Sequence, residues 1–242
     1  MHDPQDWKLN QLLAALPADV LQRWREDLQV CDMPLGLVLY EAGETLDHVY
    51  FPTTAIVALL YVAGNGATTE VAMVGREGLV GISLFMGGGS TTSRAVVQCA
   101  GKGLRMDARV MQDAFERGGA ARLLLLRYTQ ALITQMAQTA VCIRHHVLEQ
   151  HLCRWLLFSL DRLPGSDLVM TQELIATHLG VRREGVTEAA LQLQKAGVIR
   201  YSRGRIQVLD RPALEARCCE CYAVVKKEYD RLLPPSPAAK PT

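Results

Sequence analysis

The chain has 242 residues, 49% of them hydrophobic and 21% charged, with a net charge of +1. That is room for two compact domains of ordinary globular composition, and it excludes a disordered, fibrous or uniformly basic chain. The longest apolar run, AIVALLYVA, falls well short of the ~20 residues that cross a bilayer, and the opening MHDPQDWKLNQ lacks the basic and then hydrophobic pattern of a secretory signal, so a cytoplasmic protein without a membrane partner is expected.

Leu9, Leu12, Leu13 and Leu16, then Val20, Leu21, Trp24 and Leu28, recur at helical spacing around Pro17 and predict two short packing helices. From Leu37 to Met106 short apolar alternations punctuated by glycine predict many short strands, with a tight hairpin at Gly64, Asn65 and Gly66. Such a run of strands reads as a barrel or sandwich. A helix is expected over Ala108 to Arg117, ended by Gly118 and Gly119.

A much longer helix begins near Ala120. Leu125, Tyr128, Leu132, Thr139 and Cys142 form one heptad-like stripe on it, interrupted by Gln135, and Leu126, Ile133, Met136, Ala140 and Ile143 form another alongside. A helix apolar over so wide a face packs on its own domain and on something else, of which a second copy is the simplest; the alternative is a core helix buried in a monomer. The dimer-facing set is placed at Leu125, Tyr128, Leu132, Met136 and Thr139. Arg144, His145, His146 and His151 follow, and their spacing does not suit a metal, which favours histidines three or four apart on a helix. They read as polar residues of a hinge.

The stretch Thr171 to Leu209 reads as helix, tight turn, helix and basic hairpin. Thr171 is an N-cap, Glu173 suits the positive first turn, and Leu174, Ile175, His178 and Leu179 share a face. Gly180 ends that helix, and Arg182, Arg183 and Glu184 begin the next. In the second helix Val186, Ala189, Ala190 and Leu193 face inward, which leaves Arg183, Glu184, Thr187 and Glu188 outside. After Gly197 the period becomes alternating, with Arg200, Arg203 and Arg205 around a turn at Ser202 to Gly204. From Arg182 to Arg205 six basic residues stand against two glutamates, a net +4 in a chain that is +1 overall. A local basic patch on a nearly neutral protein is what phosphate contact requires. The order of cap, glycine turn, Arg-rich helix start and basic hairpin is that of a winged helix-turn-helix that reads double-stranded DNA, with Thr171, Arg182, Arg183, Glu184, Thr187, Glu188, Arg200, Arg203 and Arg205 as the contact residues. A solvated surface hairpin beside a helical pair is the plainer alternative.

Asp210 and Pro212 start a last helix expected to run to Leu233, followed by PPSPAAKPT, which has the composition of a disordered tail. The seven cysteines, Cys31, Cys99, Cys142, Cys153, Cys218, Cys219 and Cys221, read as buried thiols. On one continuous helix Cys218, Cys219 and Cys221 would point in different directions with no histidine nearby, so no metal and no cofactor are expected.

At Arg183, Glu184 and Val186 the chain resembles the Crp/Fnr family of bacterial transcription regulators, whose recognition helix begins with this pattern. The resemblance continues through VLEQHLCRWLL, YEAGETLDHVYFP and VAMVGREGLVGISLFMGG and covers roughly Leu9 to Leu233. It implies an α+β architecture: an N-terminal β-roll of the cyclic-nucleotide-binding type, also described as a double-stranded β-helix, a long dimerisation helix and a C-terminal winged helix-turn-helix. The division expected is residues 1–119, 120–146 and 147–233, with a tail at 234–242. It implies a homodimer on a near-palindromic operator, with RNA polymerase as a further partner. The N-terminal cysteines of the iron-sulfur members are absent, which disfavours oxygen sensing through such a cluster.

In cyclic-nucleotide-binding relatives a Gly-Glu-Leu element holds the ribose and a later arginine holds the phosphate. The matching stretch here offers Gly81, Ser83, Ser93 and Arg94 as effector-site residues, but Ile82 stands where the glutamate belongs. Isoleucine accepts no hydrogen bond, and a buried ribose hydroxyl left without a partner costs ~1–3 kcal/mol, so cyclic AMP is not the expected effector. The Gly87 to Thr92 loop reads as a plain hairpin, with an anion-binding nest as the alternative. An enzyme related to the cupin barrels would need clustered histidines and glutamates on strands, where only His48 is offered, and no nucleophile with a base at useful spacing is found. A signalling module acting through protein partners is the remaining alternative, and it leaves the basic hairpin without a purpose.

Overall fold

The computed structural model describes residues 6–163, 165 and 167–233, and the expected tail at 234–242 lies outside them. A 3-10 turn, Asp6–Leu9, and two short helices, α1 (Gln11–Ala14) and α2 (Ala18–Trp24), open the chain and bury Leu12, Leu13, Val20, Leu21 and Trp24 as their spacing predicts. Seven strands follow: β1 (Gln29–Met33), β2 (Val38–Tyr40), β3 (His48–Pro52), β4 (Ile56–Val62), β5 (Thr68–Val74), β6 (Arg94–Cys99) and β7 (Gly101–Asp107). Among the described residues they form two antiparallel sheets, ordered β1-β7-β3 and β2-β6-β4-β5. The β1 strand begins just past Leu28, earlier than the alternation in the sequence suggests, because its partner is distant: Gln29 pairs with Arg105 and Met33 with Gly101.

The run AIVALLYVA becomes β4, and it is continuous rather than alternating because both faces are covered. Val57 and Leu59 point into the core of the roll, whereas Ile56 joins a second core built by the C-terminal half. The first core also takes in α3 (Ala108–Glu116), capped by Asp107, whose Oδ1 accepts from the Arg109 amide at 2.8 Å.

The long helix α4 (Gly119–His145) closes the roll. Tyr128 is fully buried, its hydroxyl donates to the Leu79 carbonyl at 2.7 Å, and its ring lies so close over Gly78 that a Cβ there would fall onto it. Leu125 and Leu132 are buried in the same core, Met136 packs against it, and Thr139 is buried with its hydroxyl on the Gln135 carbonyl. These five positions, expected at a dimer interface, therefore pack within their own chain. Two adjacent stripes look alike in sequence, and only the position of the roll decides which one it takes.

Beyond α4 come α5 (Leu148–Arg162), β8 (Asp167–Val169), α6 (Gln172–Leu179), α7 (Arg183–Lys195), β9 (Ile199–Ser202), β10 (Arg205–Val208), α8 (Arg211–Arg217) and α9 (Glu220–Leu232). The hairpin gains an unexpected third strand, giving a sheet ordered β8-β10-β9. The expected single last helix is broken: Cys218 and Cys219 are extended, with ψ of 154° and 165°. The break lets α9 turn back along α4, where Gln130 donates to Glu228 at 3.3 Å and the Tyr128 and Tyr229 rings meet edge to face with centroids 6.5 Å apart.

Arg162 lies where these parts meet. Its Nε donates to Glu77 Oε1 at 2.8 Å, Nη1 to the Phe158 carbonyl at 2.9 Å and Nη2 to Gln135 Oε1 at 3.2 Å. Gln135, the polar interruption of the α4 stripe, also accepts from the Tyr229 hydroxyl and donates to the Met73 carbonyl. Both Arg162 and Glu77 are largely removed from water, so removing one charge strands the other. Arg162→Met is expected to lower unfolding free energy in urea by about 3–5 kcal/mol, and adding Glu77→Gln to recover much of the loss. A double variant no more stable than Arg162→Met would show that the ion pair is not the source of the effect.

Candidate nucleic-acid interface

The helix pair is set by its caps. Thr171 Oγ1 accepts from the Leu174 amide at 3.2 Å at the start of α6, and Gly180 ends that helix with φ of 66°. Arg182 is the N-cap of α7, followed by Arg183 and Glu184 in its first turn. Val186, Ala189, Ala190 and Leu193 are buried as their spacing predicts. Arg182, Arg183, Glu184 and Glu188 are exposed and, among the described residues, have no ion-pair partner. Thr187 departs from the outward set: it is half-buried, with its hydroxyl 2.8 Å from Gln172 Oε1 and 3.0 Å from the Arg183 carbonyl, so it fastens α7 to α6.

The hairpin turn consists of Arg203 and Gly204, with φ of 51° and 74°, the pair of positive values that a two-residue type I′ connection requires. Glycine adopts this freely and arginine does not, so Arg203 is held at the tip at some conformational cost. Arg200 reaches Gln207 at 3.5 Å, and Arg205 lies 3.7 Å from Asp167; both arginines are exposed, so these contacts hold them weakly. A cleft runs between the hairpin and the helix pair, lined by Thr171, Gln172, Glu173, Arg183, Tyr201, Ser202, Arg203 and Gly204. Gln172, Tyr201 and Ser202 were not anticipated. Tyr201 donates to the Met170 carbonyl at 3.0 Å, and burial raises its phenol above the ordinary value. The one sequence signal for it is its place in an alternating hairpin strand.

The helix pair is seated on the β-roll. His178 Nδ1 lies 2.9 Å from Glu70 Oε2 on β5, and both side chains are buried. His178 was expected on the inward face of α6, and the surface it meets there belongs to the other half of the chain.

The expected effector residues separate. Gly81, Ser83 and Ser93 line a cleft of about 300 Å³ with Tyr40, Tyr61, Thr91, Leu132, Met136 and other apolar or hydroxyl groups, none of them charged. Arg94 is not among them: it is directed at Glu41, with Nε 3.2 Å from Oε1. Neighbouring residues of a strand point to opposite faces, so the chain entering β6 sends Ser93 and Arg94 in different directions. Burial pushes the Tyr40 phenol up to about 12, opposed by its hydrogen bond with Ser93.

The hinge after α4 gathers sulfur and imidazole. His151 Nε2 meets the Cys142 carbonyl at 2.7 Å, and burial lowers the ring's pKa. The cysteine reading from a continuous helix does not hold, because the break at Cys218 and Cys219 reorients the thiols and the end of α4 supplies a histidine. Cys142, His146, Cys219 and Cys221 each offer one ligand atom, all within 4.8 Å of one another. Hydrogen bonds from the Cys142 and Cys218 thiols hold Cys219 well below the ordinary thiol value, and the same bonds raise Cys142 and Cys218.

Residues 150–217 match the model of the Crp-like helix-turn-helix domain. No curated protein matches the chain in sequence. Solved structures of similar fold include FixK2 from Bradyrhizobium japonicum, at 15% identity over 79% of this chain and 98% of that one, with a TM-score of 0.64. A CRP-family transcriptional regulator from Thermus thermophilus aligns at 19% identity over 77% of this chain and 95% of that one, with a TM-score of 0.63. The c-di-GMP-responsive global regulator CLP of Xanthomonas campestris aligns at 14% identity over 80% and 100%, with a TM-score of 0.62. Each of these matches spans nearly the whole of the other chain, so the likeness takes in the roll and the long helix as well as the helix-turn-helix.

Proposed function

We infer that this chain, a Crp/Fnr-type protein by its helix-turn-helix domain and its fold, is a transcription regulator that reads a near-palindromic DNA site as a homodimer. The observation that carries the reading is the exposed cleft in which Arg183 of α7 and Arg203 of the hairpin stand, among the described residues, without ion-pair partners. Charges left unpaired at a concave surface are free to replace the counterions of a phosphate backbone.

In this reading α7 enters the major groove by its N-terminus, Arg183 pairs with guanine O6 and N7, and Glu184 accepts from cytosine N4. Arg182, Arg200, Arg203 and Arg205 meet phosphates, and Thr171, whose hydroxyl proton is not used in its cap, donates to one. Thr187 positions α7 rather than touching a base. Glu188 is exposed one turn further along and cannot donate to guanine, which distinguishes the half-site from that of relatives with an arginine there.

Dimerisation is assigned to the stripe of α4 that its own chain leaves open. Leu123, Leu126, Ile133, Ala137 and Ala140 recur at intervals of three, four and seven and are all exposed, Leu126 at 47% and Ile133 at 51%, with Gln130, bonded to Glu228 of α9, at the edge of the stripe. That spacing is the seam of a two-stranded coiled coil. The uncharged cleft of the roll suits a small neutral molecule better than a cyclic nucleotide, since the ribose acceptor is replaced by Ile82 and Arg94 is engaged by Glu41. Leu132 and Met136 bring the cleft into contact with α4, so whatever fills it acts on the dimer helix.

Four outcomes are expected. In gel shifts at fixed salt Arg183→Ala should cost about 1–3 kcal/mol and relax one base position. Arg203→Gly, which keeps the turn, should weaken all sequences alike and reduce the salt slope by about one; unchanged affinity and preference in Arg183→Ala would mean that α7 does not read bases. Leu126→Asp with Ile133→Asp should give a folded monomer by light scattering, because neither side chain is needed inside the chain, and a persistent dimer would remove this seam. Calorimetry with cyclic AMP should show no micromolar binding, and tight binding that raises DNA affinity would overturn the reading of the cleft.

A further inference from the structure

We propose that Cys142, His146, Cys219 and Cys221 form a tetrahedral zinc site that clamps the end of α4 to the start of α9. The four residues come from two places: Cys142 lies in the last turn of α4 and His146 is its C-cap, while Cys219 caps α9 and Cys221 lies in its first turn. Cys142 Sγ is 3.5 Å from Cys219 Sγ, and Cys221 Sγ is 3.7 Å from His146 Nδ1. With zinc–sulfur bonds of about 2.3 Å, tetrahedral ligands stand about 3.8 Å apart, so a single ion fits with little movement. An iron-sulfur cluster, larger than one ion, would need the ligands spread more widely.

Two further observations point to a metal. His146 presents Nδ1 to the thiols and directs Nε2 at Glu220, 3.3 Å from Oε2, the carboxylate partner that orients a ligating imidazole and fixes its tautomer. Arg154 is a buried cation without an ion-pair partner among the described residues; its Nη1 donates to Thr139, its Nε has no hydrogen bond, and its charge acts on Cys142, Cys218 and Cys221. Three thiolates and one neutral histidine around Zn²⁺ carry a charge of −1. That negative charge offsets the buried Arg154 guanidinium, which has no carboxylate partner among the described residues.

The clamp joins the turn from which α5 leaves α4 to the helix that returns along α4, and so fixes the angle between the long helix and the helix-turn-helix. Binding at such a site is coupled to folding, and each thiol releases its proton as the ion enters. Metal content is read without DNA, so the site stands or fails independently of the DNA-binding reading.

Full-length, tag-free protein from zinc-supplemented cells should retain about one zinc per chain by elemental analysis after gel filtration. Cys219→Ser and Cys221→Ser should each abolish it, whereas Cys99→Ser, in the roll, should not. Cobalt added to the metal-free protein should produce the intense visible bands of a tetrahedral ion and a thiolate charge-transfer band, a readout that needs no variant to fold. Glu220→Gln should weaken zinc affinity by about 10- to 100-fold while leaving the thiols in place. The proposal is overturned if the protein carries iron or no metal, if zinc survives Cys219→Ser, or if cobalt binds without the thiolate band. A Cys142–Cys219 disulfide in protein purified anaerobically would overturn it as well.

Discussion

A buried guanidinium organises this molecule. Arg162, at the end of α5, is held by a carboxylate from the loop after β5, by a carbonyl of its own helix and by the amide of Gln135 on α4, which also receives the Tyr229 hydroxyl from α9. A charge at that depth is tolerable only if its donors find acceptors, so the four segments must arrive together. The roll, the long helix, the first helix of the helix-turn-helix half and the last helix are thereby fixed to one point, and α5 is pressed onto the outer face of the sheet that contains Ile56, Met73 and Cys99.

From that anchor the faces of α4 divide. One is consumed by the roll, through Tyr128 over Gly78 and through Leu125 and Leu132; one is covered by α9; and one, through Leu126 and Ile133, is left bare. The cleft behind Gly81 and Ser93 touches the same helix at Leu132 and Met136, beside the bare stripe. A packed helix transmits small displacements as a rigid body, which gives the cleft a physical route to that stripe. The buried contact of His178 with Glu70 gives the roll a second, direct hold on the helix-turn-helix.

The β-roll and the helix-turn-helix half are thus joined by side chains whose partners are far away in sequence. Glu77 and Arg162 are 85 residues apart, and Cys142 and Cys219 are 77. The wing has the same character: Asp167 to Val169 become a strand only because Gln207 to Arg205 offer an open edge.

The sequence alone determined what depends on local order. The caps at Thr171 and Gly180, the buried spacing of Val186, Ala189, Ala190 and Leu193, the Arg203 and Gly204 turn, the hairpin at Gly64 to Gly66 and the limits of α3 and α4 all follow from interactions within a few residues, which a linear pattern records faithfully. Tertiary structure decided what depends on which surface meets which. Two apolar stripes on α4 have equal claims by periodicity, and only the roll settles that Leu125, Tyr128 and Leu132 face inward. Arg94 and Ser93 are neighbours in sequence yet face different environments, and Thr187 turns from the exposed face of α7 to bind Gln172. The cysteines show the limit most plainly: on one continuous helix they diverge, but a two-residue break, placed by the return of α9 onto α4, brings Cys219 and Cys221 to Cys142 and His146. Spacing fixes directions only within an element, and where an element ends is set by the energy of packing it against another.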